Sequence, residues 1–165
     1  MRFSRLIATV LGIGYIRPAP GTWASLVALP WAWLLHVVAG PWFLLAGIVF
    51  GFFKGWWAVS REIEGREDHD PSEIVVDEFI GQSIAFLPVS IGSFVYGVDI
   101  LSLWPGWIAA FALFRLFDIW KPGPVGWADG RKDALGVMLD DAVAGIFAGA
   151  GVACLAVAYH GLLSS

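Results

Sequence analysis

Apolar residues fill five runs along the chain, at about 22–38, 42–60, 76–96, 104–120 and 141–160. Runs of roughly 17 to 25 residues suit a helix crossing about 30 Å of hydrocarbon. Helix is the form expected, because a spanning segment must satisfy its own backbone hydrogen bonds where no water can. The breaks fall at Gly40-Pro41, 61–72, 97–102 and 121–133; the second and fourth are charged, whereas the first and third hold no Lys or Arg. Cytoplasmic loops carry the excess of Lys and Arg, so this alternation predicts the N-terminus and both charged loops inside and the C-terminus outside. The expected fold is all-α: a polytopic membrane helical bundle of about five spans in one domain, 1–165.

Residues ahead of the first run need separate treatment, because Arg2 and Arg5 followed by the apolar stretch Leu6 to Ile16 imitate a secretory signal. That stretch is too short to span, no small-x-small site follows, and Arg17-Pro18-Ala19-Pro20 leads straight into the first run. An interfacial or re-entrant helix on the cytoplasmic side is expected. Trp42, Trp104 and Trp107 fall near outer ends and Trp23, Trp56, Trp57, Trp120 and Trp127 near inner ones, as an interfacial aromatic belt would place them.

Composition agrees with lipid as the solvent: 58% of residues are hydrophobic and 15% charged, against roughly 25% charged in a soluble domain. The net charge of −4 says less than its distribution, and nucleic acid is not an expected partner. Cys154 is the only cysteine, which excludes an intramolecular disulfide and a CxxC metal site; it reads as a packing residue within the last run. His36 and His160 lie at outer ends and His69 alone on the charged side, so a histidine zinc site or a Ser-His-Asp triad is not expected.

The chemistry falls to the acids. Asp77 and Glu78 stand at the inner entrance of the third run, Asp118 at the inner end of the fourth, and Asp140 and Asp141 at the entrance of the fifth. Acids at bilayer depth cost about 2.5 to 3.5 kcal/mol on insertion scales and are held there for a purpose. Carboxylates converging without His or Cys select Mg²⁺ or Mn²⁺ over zinc. The competing reading is local ion pairing, since Arg115 and Asp118, and Asp118 and Lys121, are each three apart on one helix face. Arg17, Arg115 and Lys121 project toward the same interface. Thr22, after Pro20-Gly21, is placed either to hydrogen-bond a phosphate at a helix N-terminus or to serve as an ordinary N-cap.

Pro20-Gly21-Thr22-Trp23-Ala24-Ser25, Ile74-Val75-Val76-Asp77-Glu78-Phe79-Ile80-Gly81, Phe114-Arg115-Leu116-Phe117-Asp118-Ile119-Trp120-Lys121-Pro122 and Gly136-Val137-Met138-Leu139-Asp140-Asp141-Ala142-Val143-Ala144-Gly145 resemble, in order, the motifs of the phosphatidylglycerophosphatase A family. The resemblance runs from about Leu11 to Gly149. It departs at Ala24, where family members often have Gly, and at 131–135, which lacks the His and Gly often found there. It implies a Mg²⁺-dependent phosphatase of the bacterial cytoplasmic (inner) membrane, multi-pass with its active face cytoplasmic. Its substrate would be phosphatidylglycerophosphate and its product phosphatidylglycerol, in anionic phospholipid synthesis. Asp77, Glu78, Asp118, Asp140 and Asp141 are then the expected metal ligands, with Glu78, Asp118 and Asp141 in the catalytic step. Arg17, Thr22, Arg115 and Lys121 would bind the substrate phosphate.

The loop at 61–72 carries Glu62, Glu64, Arg66, Glu67, Asp68, His69 and Asp70 and reads first as a solvated, mixed-charge loop. Asp68, His69 and Asp70 lie near enough to the third run to add an outer metal ligand or a general acid. Two other classes gather acids in membranes. A cation transporter places them near the midplane of interrupted helices, not at one interface. A CDP-alcohol-type lipid phosphotransferase is suggested by Asp129-Gly130-Arg131, but the rest of that signature does not follow.

Overall fold

The computed structural model describes residues 2–66 and 68–163, with side chains as far as Tyr159; Glu67 and the side chain of His160 lie outside the described residues. Among the described residues every regular element is helical: α1 (Phe3–Ala8), α2 (Pro20–Ile63), α3 (Val76–Tyr96), α4 (Trp104–Trp120), α5 (Pro124–Asp129) and α6 (Ala134–Leu163). Short 3-10 turns stand at Ile13–Tyr15 and Ile100–Leu103.

The 44 residues of α2 would reach roughly 66 Å as a straight rod, about twice the hydrocarbon thickness. They do not run straight. Ala39 (φ −154°, ψ 28°) and Gly40 (φ 74°) leave the helical region, because Pro41 disfavours helix in the residue before it and glycine accepts the left-handed φ that turns the chain. The limbs 20–38 and 41–63 fold back on each other, so that a Cβ on Gly47 would fall 2.7 Å from Leu35 Cδ1. Among the described residues, four helical stretches are long and apolar enough to cross a membrane. With α2 broken, they supply five segments of crossing length, matching the five apolar runs.

Close contacts fix the directions. Gly21 lies against Glu78 and Gly40 against Phe94, so α3 runs parallel to the first limb of α2; Gly51 against Ile80 and Gly55 against Val76 make it antiparallel to the second. α6 runs parallel to α3, with Gly145 on Gly81 and Gly149 on Pro88. α4 is antiparallel to both, through Phe117 with Phe147 and Gly106 with Val89. Consequently the starts of α2, α3 and α6 and the ends of α2 and α4 meet at one end of the bundle, where nearly all the charge lies.

Phe86, Phe114, Leu44 and Met138 are fully buried between the helices, while Val37, Phe50, Ile119 and Val157 are exposed. Large apolar side chains on the outside are what a lipid-facing surface requires and a soluble protein avoids. Trp42, Trp104, Trp23, Trp56, Trp57, Trp120 and Trp127 also face outward. Trp107 differs: its ring packs edge-on to Phe86 at 4.9 Å and its N–H donates to the Ile100 carbonyl at 3.1 Å, so it belongs to the core. Cys154 is exposed on α6, which corrects its reading as a packing residue.

The N-terminal segment is shorter in its helix than the apolar stretch Leu6 to Ile16 implies. α1 has six residues, after which positive φ at Val10, Leu11 and Gly12 ends the helix. Ser4 donates to Glu62 at 2.6 Å, Arg5 pairs with Glu62 and Glu73, and Val75 N–H donates to the Ala8 carbonyl. The segment thus clamps the 61–72 loop at both of its ends.

Candidate active site

α3 begins at Val76, so Asp77 and Glu78 occupy its first turn, where the helix dipole favours negative charge. Two glycine contacts bring further acids to them. A Cβ on Gly21 would lie 2.0 Å from Glu78 Oε1, so α2 passes close against the end of this side chain. At the crossing of α3 and α6, a Cβ on Gly145 would lie 2.3 Å from the Gly81 carbonyl oxygen, and one on Gly81 would lie 2.5 Å from the Asp141 carbonyl oxygen. This approach sets one carboxylate oxygen from each of Asp77, Asp140 and Asp141 within 4.8 Å of the others, all three residues being buried. Asp140 and Asp141 stand six and seven residues inside α6, which starts at Ala134, and not at its entrance as the apolar pattern implied.

Cations border the cluster on one side. Lys121, held at φ 49° just beyond α4, donates to Asp140 Oδ2 at 2.7 Å and also to Asp129. Burial alone would lower the Lys121 ammonium, but the hydrogen bonds to Asp129 and Asp140 outweigh it and raise the group above its ordinary range. Asp140 Oδ1 accepts the Asp141 N–H at 2.9 Å, leaving the Asp140 carboxylate engaged at both oxygens. Arg115 pairs with Asp118 at 2.5 Å, the local ion pair that the three-residue spacing allowed. Lys121 does not pair with Asp118; it reaches across to α5 and α6.

Three buried carboxylate oxygens have no protein partner: Asp77 Oδ1, Glu78 Oε2 and Asp141 Oδ1. A buried unpaired carboxylate is costly unless a cation or a proton compensates it. Clustered hard oxygen donors without sulfur or imidazole have the chemistry for a divalent cation such as Mg²⁺, and Asp77, Asp140 and Asp141 have the spacing.

From Asp140 a cleft of about 370 Å³ opens between the 61–72 loop and α5, lined by Asp68, His69, Asp70, Asp129, Arg131 and Lys132. The loop triplet therefore does reach the site. Desolvation in the cleft raises the Asp70 carboxyl; Lys121 lowers it, and Asp129, Asp68 and Asp118 raise it further.

The remaining expected residues lie apart. Arg17 is exposed and its guanidinium donates to Ser72 Oγ at 2.9 Å. Thr22 is not an N-cap: Ala19 holds that position, and the Thr22 and Trp23 N–H groups both turn back to the Ala19 carbonyl, so neither is free for an anion. Asp129 is noted in the sequence only as the start of Asp129-Gly130-Arg131, and Gln82 is not among the expected site residues. Asp129 sits in a polar loop where no periodicity distinguishes it. Gln82 did carry a signal, being an amide inside an apolar run four residues after Glu78.

Residues 6–156 match the family model described as Phosphatidylglycerophosphatase A. A phosphatidylglycerophosphatase A of Haemophilus influenzae is 35% identical over 87% of this chain and 82% of its own length, and one of Escherichia coli is 34% identical over 86% and 76%. A Bacteroides thetaiotaomicron protein provisionally named a phosphatidylinositol-3-phosphatase is 39% identical over 86% of each. No solved structure matches the chain. The family match spans all three glycine contacts and every acid of the cluster, and the chain belongs to the phosphatidylglycerophosphatase A family.

Proposed function

We propose that this membrane protein is a Mg²⁺-dependent phosphatase that hydrolyses phosphatidylglycerophosphate to phosphatidylglycerol and inorganic phosphate. Its setting would be the bacterial cytoplasmic membrane, with the charged end of the bundle facing the cytoplasm, and its product would feed anionic phospholipid synthesis. The names of the relatives support the substrate. The observation that carries the chemistry is the buried trio of Asp77, Asp140 and Asp141 with two of its oxygens unpartnered.

Asp77, Asp140 and Asp141 would hold the metal, with Asp118 and Glu78 at its border. When bound, Mg²⁺ supplies a Lewis acid for phosphate oxygens and acidifies water beside it. The chain's own residues do the rest. Glu78, whose Oε2 is unpartnered, is the base that accepts a proton from the attacking water as the new O–P bond forms. Lys121 and Arg115 offset negative charge gathering on the phosphoryl oxygens, the main electrostatic aid in such transfers. The ester P–O bond breaks, the departing alkoxide of the lipid glycerol takes a proton from solvent water, and Glu78 returns its own proton to solvent.

Arg17 fits the outer approach of the anionic headgroup better than the reacting phosphate, since it stays exposed beside Ser72. Thr22 stands in the first turn of α2 beside Gly21, the residue that meets Glu78. The test is phosphate release from phosphatidylglycerophosphate in detergent micelles by purified protein, with Mg²⁺, with EDTA, and with Asp141→Asn in Mg²⁺. Release confined to the first condition is expected. Release that survives EDTA would remove the metal from the proposal, and faster release from a phosphatidylinositol 3-phosphate micelle would move the substrate.

A further inference from the structure

Gln82 is fully buried, and neither its amide oxygen nor its amide nitrogen meets a protein hydrogen-bonding group. Such a side chain inside a membrane bundle is costly, because each unpaired polar group there forfeits several kcal/mol. Leucine or methionine would fill the same volume without that cost. Gln82 lies one turn beyond Glu78 on α3, and residues four apart share a helix face. That face packs on the first limb of α2, where Gly21 meets Glu78 and, one turn on, Ser25 is wholly buried with its hydroxyl already committed to the Gly21 carbonyl at 2.9 Å. Arg115 on α4 offers no free donor there, because its Nη1 is committed to Asp118 at 2.5 Å. Two unpartnered groups one turn apart, Glu78 Oε2 and the Gln82 amide, therefore share one face of α3 beside the first limb of α2.

A carboxylamide donates through nitrogen and accepts through oxygen. The ligand that satisfies both is a hydroxyl, which accepts and donates at one atom. We propose that Gln82 is a positioning residue that orients a hydroxyl group beneath Glu78, either the attacking water or the free hydroxyl of the substrate's glycerol headgroup. The proposal rests on the phosphatase reading above and adds a specific residue to it. In the water case, Gln82 holds the nucleophile against Glu78 Oε2 and acts through that base. In the headgroup case, it orients the leaving group.

The experiment measures kcat and KM for wild type and Gln82→Leu on phosphatidylglycerophosphate and on its analogue with a propane-1,3-diol headgroup, which lacks the free hydroxyl. Thermal stability in detergent is followed in parallel. Folded Gln82→Leu, at least as stable as wild type, should lose roughly 10- to 100-fold in kcat with KM little changed, the scale of a misplaced reactant. Equal loss on both lipids assigns the hydroxyl to water. Loss on the natural lipid alone, with the analogue equally slow in both proteins, assigns it to the headgroup. Wild-type kcat for Gln82→Leu on both lipids overturns the proposal while leaving the phosphatase reading intact. An inactive wild type would overturn that reading instead. If Gln82→Leu fails to accumulate, Gln82→Met keeps the length and flexibility of the side chain; failure of both would show the amide to be structural and also overturn the proposal.

Discussion

The contact of Gly145 with Gly81 makes a sharp test of how the site is assembled. In Gly145→Ala the new Cβ would lie 2.3 Å from the Gly81 carbonyl oxygen, whereas a carbon and a carbonyl oxygen pack no closer than about 3.3 Å. The obstacle is backbone, which cannot swing aside, so α3 and α6 must part by about 1 Å. Gly145 is one turn from Asp141 and Gly81 one turn from Asp77, so the separation passes directly to two carboxylates of the trio. Metal ligands tolerate about 0.2 Å, and a 1 Å misplacement of reacting groups costs on the order of 100-fold. Gly145→Ala should therefore release phosphate roughly 100-fold more slowly and require more Mg²⁺ for half-maximal rate. Gly92→Ala on α3 is the control, because its Cβ meets nothing within 4 Å; better helix propensity should make it slightly more stable, by up to about 1 kcal/mol, with full activity. Wild-type kcat and Mg²⁺ dependence in a folded Gly145→Ala protein would refute the claim that this crossing sets the site.

Lys121→Met removes the cation shared by Asp129 and Asp140 and should slow phosphate release about 100-fold; a rate within twofold of wild type would exclude Lys121 from charge stabilisation. Asp70 has a folded-state pKa raised above its unfolded value, so its ionised form opposes folding at neutral pH and this penalty disappears as pH falls through the raised value. Because Asp70 is exposed and its charge partly screened, Asp70→Asn in EDTA should raise the melting temperature at pH 7 only slightly and lose that advantage below about pH 4; an equal shift at both would show that charge is not the cause. Cys154→Ala should leave activity unchanged and stability within about 0.5 kcal/mol, since the thiol faces outward; a larger stability loss, read by melting in detergent, would place it in a packed contact.

The spans and their directions were legible because the bilayer imposes length and polarity on each segment, and the charge-free break at Gly40-Pro41 marked a turn that the structure makes at Ala39 and Gly40. The acids that gather were legible too, since a carboxylate within an apolar run stands out against its neighbours. The contacts that bring them together were not. They depend on Gly21, Gly81 and Gly145, and a glycine in a sequence does not say which helix will press on it. The reach of Lys121 across to Asp140 was hidden for a related reason: same-helix spacing pointed to Asp118, but the chain leaves the helix at Lys121 with positive φ and turns the ammonium toward α5 and α6. Thr22 was misplaced because the helix starts three positions earlier, with its N-cap at Ala19, which moves Thr22 from cap to first turn.

The clamp made by α1 bears on the order in which the protein assembles. Ser4 is 58 residues from its partner Glu62, and Arg5 is 68 from Glu73. Both acids follow Ser4 and Arg5 by a whole broken helix, so these contacts form only once the two limbs of α2 and the following loop are in place. Only then can the segment close, and with it the loop that carries Asp68, His69 and Asp70 over the cleft. Completion of the charged end therefore rests on contacts between residues far apart in sequence, which close last because they cost the most chain entropy.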